Sequence, residues 1–435
     1  MKCHFIKVQK TGLVLSLLAA LAGAHQSAAQ SFVLSSSPGV GFNPFGITVA
    51  DVNGDGKPDL ISANSGTNTL TILTNNGSGK LTLSASVAVG NQPYSVVAAD
   101  LSGNSKVSLI GANFGDNTLT VLTNNGTGGF GSIATYNVGI NPQSVVAMDI
   151  NNDGKKDLIC ANVGDNTLTV LTNNGAGVFG SNATCNVGIS PESVVAVDIN
   201  GDGKADLICA NFGDNTLTVL TNNGAGDFGW NATCNVGNGP ASVAAADVNG
   251  DGALDLISAN LFDGAISVLT NNGTGIFGST AVFIAGGGPV SVATADINGD
   301  GSLDLIVANI GDSTATVLTN DGRGIFGFDA LYNVGSNPET IVAADMNGDG
   351  APDLMTANYS DSTLSVLLNF PRLTLHYSNN AADLSWSTLW PGYELQQNSN
   401  LATTNNWINV SNPTGTNHVV ITPATGTKFF RLRHP

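Results

Sequence analysis

Ser193-Val194-Val195-Ala196-Val197-Asp198-Ile199-Asn200-Gly201-Asp202-Gly203-Lys204-Ala205-Asp206-Leu207-Ile208-Cys209-Ala210 decides how this chain folds. Its apolar ends, Ser193 to Val197 and Leu207 to Ala210, read as two short strands. Between them, nine residues of the form D-x-N-x-D-G-x-x-D reverse the chain. Asn211-Phe212-Gly213-Asp214-Asn215 then turns it again, Asn and Gly supplying positive φ. Thr216 to Thr221 alternates Thr with Leu and Val, the period of a half-buried strand. Asn222-Asn223-Gly224-Ala225-Gly226 makes a third turn, and Asn231 to Val236 a fourth strand.

The nine-residue pattern begins at Asp51, Asp149, Asp198, Asp247, Asp296 and Asp345, and a damaged copy begins at Asp100. All seven starts stand 49 residues apart. Four antiparallel strands per repeat make one blade of a β-propeller, and seven blades close a disc, so the chain is expected to be all-β. A calcium-binding β-helix repeats every nine residues and needs no unit of this length. The first strands are rich in small apolar residues (Val96, Ala98, Ala99; Val243, Ala244, Ala245), which suits the crowded axis.

Closure is also legible. The last repeat runs from Leu367 into Phe370-Pro371-Arg372 instead of a fourth strand, while Ser31 to Pro44 precedes the first loop and Phe32 lies two periods before Phe130. The N-terminal segment is expected to supply the outer strand of the last blade and so remove an exposed edge. Leu373 to Tyr377 is the alternative. From Pro371 the metal loops stop, Trp386, Trp390 and Trp407 appear, and Arg431 and Arg433 cluster. The expected organisation is a signal peptide over 1–29, a propeller over 30–370, and a small immunoglobulin- or fibronectin-like β domain over 371–435.

The loop chemistry points to calcium, which takes six to eight hard oxygens in irregular geometry. The side-chain oxygens are those of Asp51, Asn53, Asp55 and Asp59; Asp149, Asn151, Asp153 and Asp157; and Asp198, Asn200, Asp202 and Asp206. Asp247, Asn249, Asp251 and Asp255, then Asp296, Asn298, Asp300 and Asp304, then Asp345, Asn347, Asp349 and Asp353 complete the six. Position seven offers its carbonyl, from Lys57, Lys155, Lys204, Ala253, Ser302 and Ala351. Gly56 at position six permits the tight turn. An EF-hand needs a Glu at position twelve, where Ser62 stands here in a strand. Asp, Asn and Gly also make plain hydrogen-bonded turns, but three aligned carboxylates in each of six loops repel one another without a cation. The copy at Asp100, with Ser102, Asn104, Lys106 and Ser108, keeps one carboxylate and is expected to be empty or weak.

Composition agrees. The net charge is −18, and positions one, five and nine of six loops supply 18 of the 32 acidic residues. A basic stripe for nucleic-acid phosphates is missing. Lys2, Lys7 and Lys10, the apolar run Gly12 to Ala24 and Ser27-Ala28-Ala29 read as a secretion signal, the run being too short to span a bilayer. No later segment is expected to cross a membrane. The mature protein is expected to be secreted, periplasmic or held at the cell surface. Cys160, Cys209, Cys185 and Cys234 are expected to act as small buried hydrophobes, a disulfide remaining open.

The repeat Ser-Val-Val-Ala-x-Asp-x-Asn-Gly-Asp-Gly-x-x-Asp-Leu, followed by Ala-Asn and a Gly-x-Phe-Gly turn, resembles the FG-GAP or VCBS repeat family, and through it the propeller of integrin α chains. The match spans roughly 31 to 370. It implies a seven-bladed propeller with calcium in the hairpin loops of one face and partners met on the other.

On that other face, Asn64, Asn113, Asn162, Asn211, Asn260, Asn309 and Asn358 recur at one position. Asp116, Asp165, Asp214, Asp263, Asp312 and Asp361 recur three residues further on, with Phe114, Phe212, Leu261, Ile310 and Tyr359 at the tips. Either they contact an extracellular protein or carbohydrate, or they are turn chemistry copied by duplication. The leading reading is a non-catalytic calcium-binding propeller for adhesion or ligand binding, with a lectin as the alternative. A polysaccharide-cleaving enzyme finds poor material. The propeller has no His, and its two Glu, Glu192 and Glu339, are expected in connections of different blades, too far apart to work as a pair.

Overall fold

A computed structural model describes residues 6–8, 31–370, 374–378, 381–385, 394–398, 407–410, 418–421 and 428–433. Most of the segment read as a signal peptide, together with Trp386 and Trp390, lies outside them. Residues 31–370 form seven four-stranded antiparallel sheets. Blade four is typical: Pro191–Val197, Asp206–Asn211, Thr216–Asn222 and Phe228–Asn235. Its fourth strand starts three residues before the expected Asn231. Val219 pairs with Ala232 and Leu220 with Trp230, so Asn231 is the extra residue of a bulge.

The first strands pack side by side around the axis, blade seven against blade one. The second strands are buried throughout, as Asp206–Asn211 is. The core is divided among the seven junctions between blades. At the junction of blades three and four, for example, Ile159, Ala161, Leu168 and Val170 meet Val194, Leu207 and Leu220. Burial at every junction lets each blade stabilise only its neighbours, the arithmetic of a repeat protein bent into a ring.

The ring closes as expected. Ser31–Ser36 pairs antiparallel with Thr363–Phe370, with Phe32 opposite Asn369. Phe32 is buried and meets Tyr332 edge-on at 5.1 Å. Thr374–Ser378 pairs instead with Ala381–Ser385, in a separate sheet with His418–Ile421. A second small sheet orders Ile6–Val8, Lys428–Arg433, Glu394–Asn398 and Ile408–Asn409. Leu384 and Val419 of the first share a buried cluster with Leu395 and Phe430 of the second. Among the described residues, no helix is long and apolar enough to cross a membrane.

Candidate metal loops and axial pocket

The nine-residue loops join first to second strands, so all seven lie on one face, beside the turns between third and fourth strands. Asp51 organises its loop through its carboxylate. Oδ1 accepts the N–H groups of Gly54 and Asp55 at 2.7 and 3.2 Å, and Oδ2 that of Gly56 at 2.7 Å. Gly54 and Gly56 both sit at φ 78°, where a side chain is disfavoured. Asn53 shares the N–H of Asp55, accepting it at 2.9 Å, and Asp55 accepts that of Lys57 at 3.0 Å. Position nine is the structural anchor. Asp59 is fully buried, and its two oxygens accept the N–H of Val52 at 3.1 Å and of Asn75 at 2.8 Å. The same bonds recur in the other intact loops, for example from Ile199 and Asn222 to Asp206.

Burial pushes the position-nine carboxyls up, two backbone amides pull them back, and the carboxylates of positions five and one push further in the same direction. The net is upward for Asp59, Asp157, Asp206 and Asp255, to about 7 for Asp304 and about 8 for Asp353. The three carboxylates of a loop are thus near enough to repel. As the loops stand, however, no three His, Cys, Asp or Glu side chains among the described residues enclose an ion. Their oxygens lean on the loop's own amides, and a carboxylate oxygen that accepts one N–H keeps a lone pair for a cation. The donor set is all hard oxygen, which fits calcium. Lys57, Lys155 and Lys204 partly neutralise position five in their loops, at 3.7, 3.2 and 3.2 Å, but these pairs are exposed and weak.

The damaged loop adopts the same turn. Asp100 accepts the amides of Ser102, Asn104 and Ser105. Burial works to raise this carboxyl and the backbone amides outweigh it, so its pKa falls below the usual range. Asn104 at position five accepts the amide of Lys106 at 2.9 Å, so the turn forms with a single carboxylate, and the added charges of positions five and nine are surplus to that task.

A ring of seven asparagines escaped the sequence reading. Asn222 Nδ2, at the end of a third strand, donates to the position-eight carbonyl of Ala205 at 2.9 Å and across the junction to the position-two carbonyl of Ile150 at 2.7 Å. Asn75 makes the corresponding bond to Met346 of blade seven at 2.7 Å, and Asn369 to Ile297 at 3.0 Å. Each metal loop is thereby bolted to the following blade. The signal was Thr-Asn-Asn at the head of five turns, with Thr319-Asn320-Asp321 and Leu368-Asn369-Phe370 keeping the same asparagine, read only as turn chemistry.

On the opposite face, the asparagine ring that begins at Asn64 is fully buried, and Asn113 Nδ2 donates to Thr118 and Thr120 at 3.0 and 2.8 Å. These asparagines are internal braces, out of reach of a partner. The aspartates are exposed but engaged, Asp116 accepting the amide of Asn91 at 2.6 Å and Asp214 that of Ile189 at 2.6 Å. Duplicated turn chemistry accounts for both rings. Cys160, Cys185, Cys209 and Cys234 are all free thiols, and burial pushes each of them up.

The expectation for the two glutamates is overturned. Glu192 and Glu339 are the second residues of the first strands Pro191–Val197 and Pro338–Ala344, not parts of connections. Three repeats apart in a ring of seven means across the axis. Both line one axial pocket of about 360 Å³, open on the face away from the metal loops. The same repeat position holds Phe45, Tyr94, Gln143, Ala241 and Val290. Burial raises Glu339 to about 7. Burial and then the charge of Glu339 raise Glu192 to about 8, against a hydrogen bond from Gln143. The rings of Phe45 and Tyr94 stack at 4.3 Å, Phe114 stacks on Tyr94 at 4.4 Å, and Tyr359 meets Phe45 edge-on at 6.5 Å.

FG-GAP-like repeats match in six overlapping copies, over residues 51–110, 106–160, 149–209, 198–258, 247–307 and 298–356. The chain belongs to the FG-GAP-like repeat family. No curated protein matches this FG-GAP-like repeat protein in sequence. Among solved structures, BBS1N in complex with ARL6DN is similar to it at 12% identity and a TM-score of 0.56, over 78% of this chain and 96% of that one. A putative 6-phosphogluconolactonase from Bacteroides uniformis is similar at 15% identity and a TM-score of 0.56, over 70% of this chain and 89% of that one. A second putative 6-phosphogluconolactonase, from Bacteroides fragilis, gives 16% identity and 0.55, over 68% and 86%. At such identities the likeness is one of fold.

Proposed function

We propose that this FG-GAP-like repeat protein is an exported, non-catalytic propeller that calcium stabilises and that binds a protein or carbohydrate partner in adhesion or ligand capture. What supports the calcium is the surplus of carboxylates. One carboxylate suffices for the turn in the damaged loop, yet six loops hold three, the third raised by its burial and further by repulsion from the other two. Calcium here supplies charge neutralisation and cross-linking oxygens, and Asp51, Asn53, Asp55, Asp59 and the carbonyl of Lys57 hold it in the first loop. Because the asparagine ring ties each loop to the next blade, an ion in a loop also braces a junction.

At affinities typical of extracellular modules, about 10⁻⁴ M, each site in millimolar calcium adds about 1.4 kcal/mol, and six sites on the order of 8 kcal/mol. The full chain is expected to melt far lower in EDTA than in calcium, by differential scanning calorimetry. An unchanged melt rejects the calcium assignment. Binding to an array of glycans and matrix proteins, in calcium and in EDTA, identifies the partner class.

The axial glutamates favour polysaccharide cleavage as a second reading. Two carboxyls raised by burial within one pocket are the raw material of acid–base chemistry on a glycosidic bond. Release of reducing ends from a polysaccharide panel, lost in Glu192→Gln, would displace the non-catalytic reading.

A further inference from the structure

We infer that the axial pocket binds a small organic cation, an ammonium or guanidinium group held between the carboxylates of Glu192 and Glu339 and the outer face of the Phe45 ring, whose other face stacks on Tyr94. It names a ligand class for this propeller and rests on the reading of the chain as a binding protein.

Three independent features converge on it. First, the repeat holds its framework constant and varies here. The neighbouring position is Ser95, Ser144, Ser193, Ser242, Ser291 or Thr340 in six blades, and those hydroxyls bond from blade to blade, as Ser144 Oγ accepts the N–H of Val194 at 3.3 Å. One residue earlier, the seven blades carry six different side chains. The fold is indifferent to what stands there, so the asymmetry of the pocket belongs to its contents.

Second, the charge is unbalanced. The titratable groups of the lining are Glu192, Glu339 and Tyr94, and it contains no Lys, Arg or His. Tyr94 is itself raised, first by burial and then by Tyr359 and Glu339 nearby. Two half-buried carboxylates without a counter-ion are costly, and a cation between them removes that cost.

Third, the aromatic wall stands beside the acids. Glu339 sits next to Phe45 in the ring of first strands, and Phe45 stacks on Tyr94. An aromatic face attracts a cation through its quadrupole, most strongly when water is excluded. Phe212, Leu261 and Ile310 supply apolar surface for the carbon groups of the ligand. A volume of about 360 Å³ suits a small molecule.

The test is ligand-observed NMR and calorimetric titration of the full chain with tetramethylammonium, methylguanidinium and N-acetylglucosamine, at constant ionic strength. Both cations are expected to bind, more tightly at about pH 8.5 than at about pH 6, as the two carboxyls ionise. Affinity is expected to fall about tenfold or more in the isosteric pair Glu192→Gln/Glu339→Gln and in Phe45→Leu. Loss for methylguanidinium alone in the Gln pair assigns the acids to hydrogen bonding, and loss for tetramethylammonium alone in Phe45→Leu assigns the ring to the cation face; either supports the site. Absence of cation binding to the wild type, undiminished binding to the Gln pair, or binding of the neutral sugar alone overturns it. Folding is read separately from the EDTA-sensitive melt. A chain that responds to EDTA and ignores the cations refutes this site and leaves the calcium reading intact.

Discussion

At the residue scale, three side chains sit against their own preferences. Ser105 stands where the intact loops have glycine and holds φ 61°. An L-residue there is strained, so Ser105→Gly is expected to stabilise the chain by about 1 kcal/mol, read by chemical denaturation. Glu192 and Glu339 are the other case. Their pKa values are raised in the folded state, to about 8 and about 7, so folding favours their protonated forms. That contribution is complete below the ordinary glutamate value and is lost as pH rises through about 7 and about 8. The Glu192→Gln/Glu339→Gln pair is therefore expected to match the wild type near pH 4 and to exceed it near pH 9 by a few kcal/mol, on the order of 1–3. A difference in melting temperature that does not grow with pH rejects the desolvated pair. These glutamates were within reach of the sequence. Both stand six residues before a loop aspartate, which places them on a first strand, and three of seven blades apart, which places them across the axis. Reading separation along the chain as separation in space hid the pair.

At the element scale, strand order, loop position and the N-terminal outer strand were legible, because period-two patterning and a repeated turn specify them locally. The bulge at Asn231 was not, since it depends on how the fourth strand meets the third. The asparagine ring was also hidden, because its partner carbonyl lies in another blade, 72 residues away. The damaged loop offers a test of the division of labour within these elements. Converting it with Ser102→Asn, Asn104→Asp, Ser105→Gly and Ser108→Asp should add one calcium per chain by equilibrium dialysis. In EDTA the same variant should melt below the parent, because position 108 is buried and an aspartate there has lost its cation. A variant no less stable in EDTA would mean that the buried aspartate needs no ion.

At the scale of the whole molecule, stability is a circuit of seven similar junctions, one of them closed by a strand from the opposite end of the chain. Removing residues 31–36 bares the edge of Thr363–Phe370 and unseats Phe32 from its cluster. The deletion is expected to cost on the order of 3–5 kcal/mol and to promote self-association, by denaturation and sedimentation; a synthetic 31–36 peptide should reverse both. The clasp also has a temporal side. A ribosome delivers Ser31–Ser36 first and its partner Thr363–Phe370 more than three hundred residues later. Blades one to six are able to fold in turn as they emerge, each on the last, while the opening strand waits without a mate. The disc is finished in a single late step, when the seventh blade arrives with a vacant edge for that strand to fill. Until then the growing protein is an open arc with apolar surface at both ends, and anything that shields the first strand during that interval governs how much of the chain reaches the closed state.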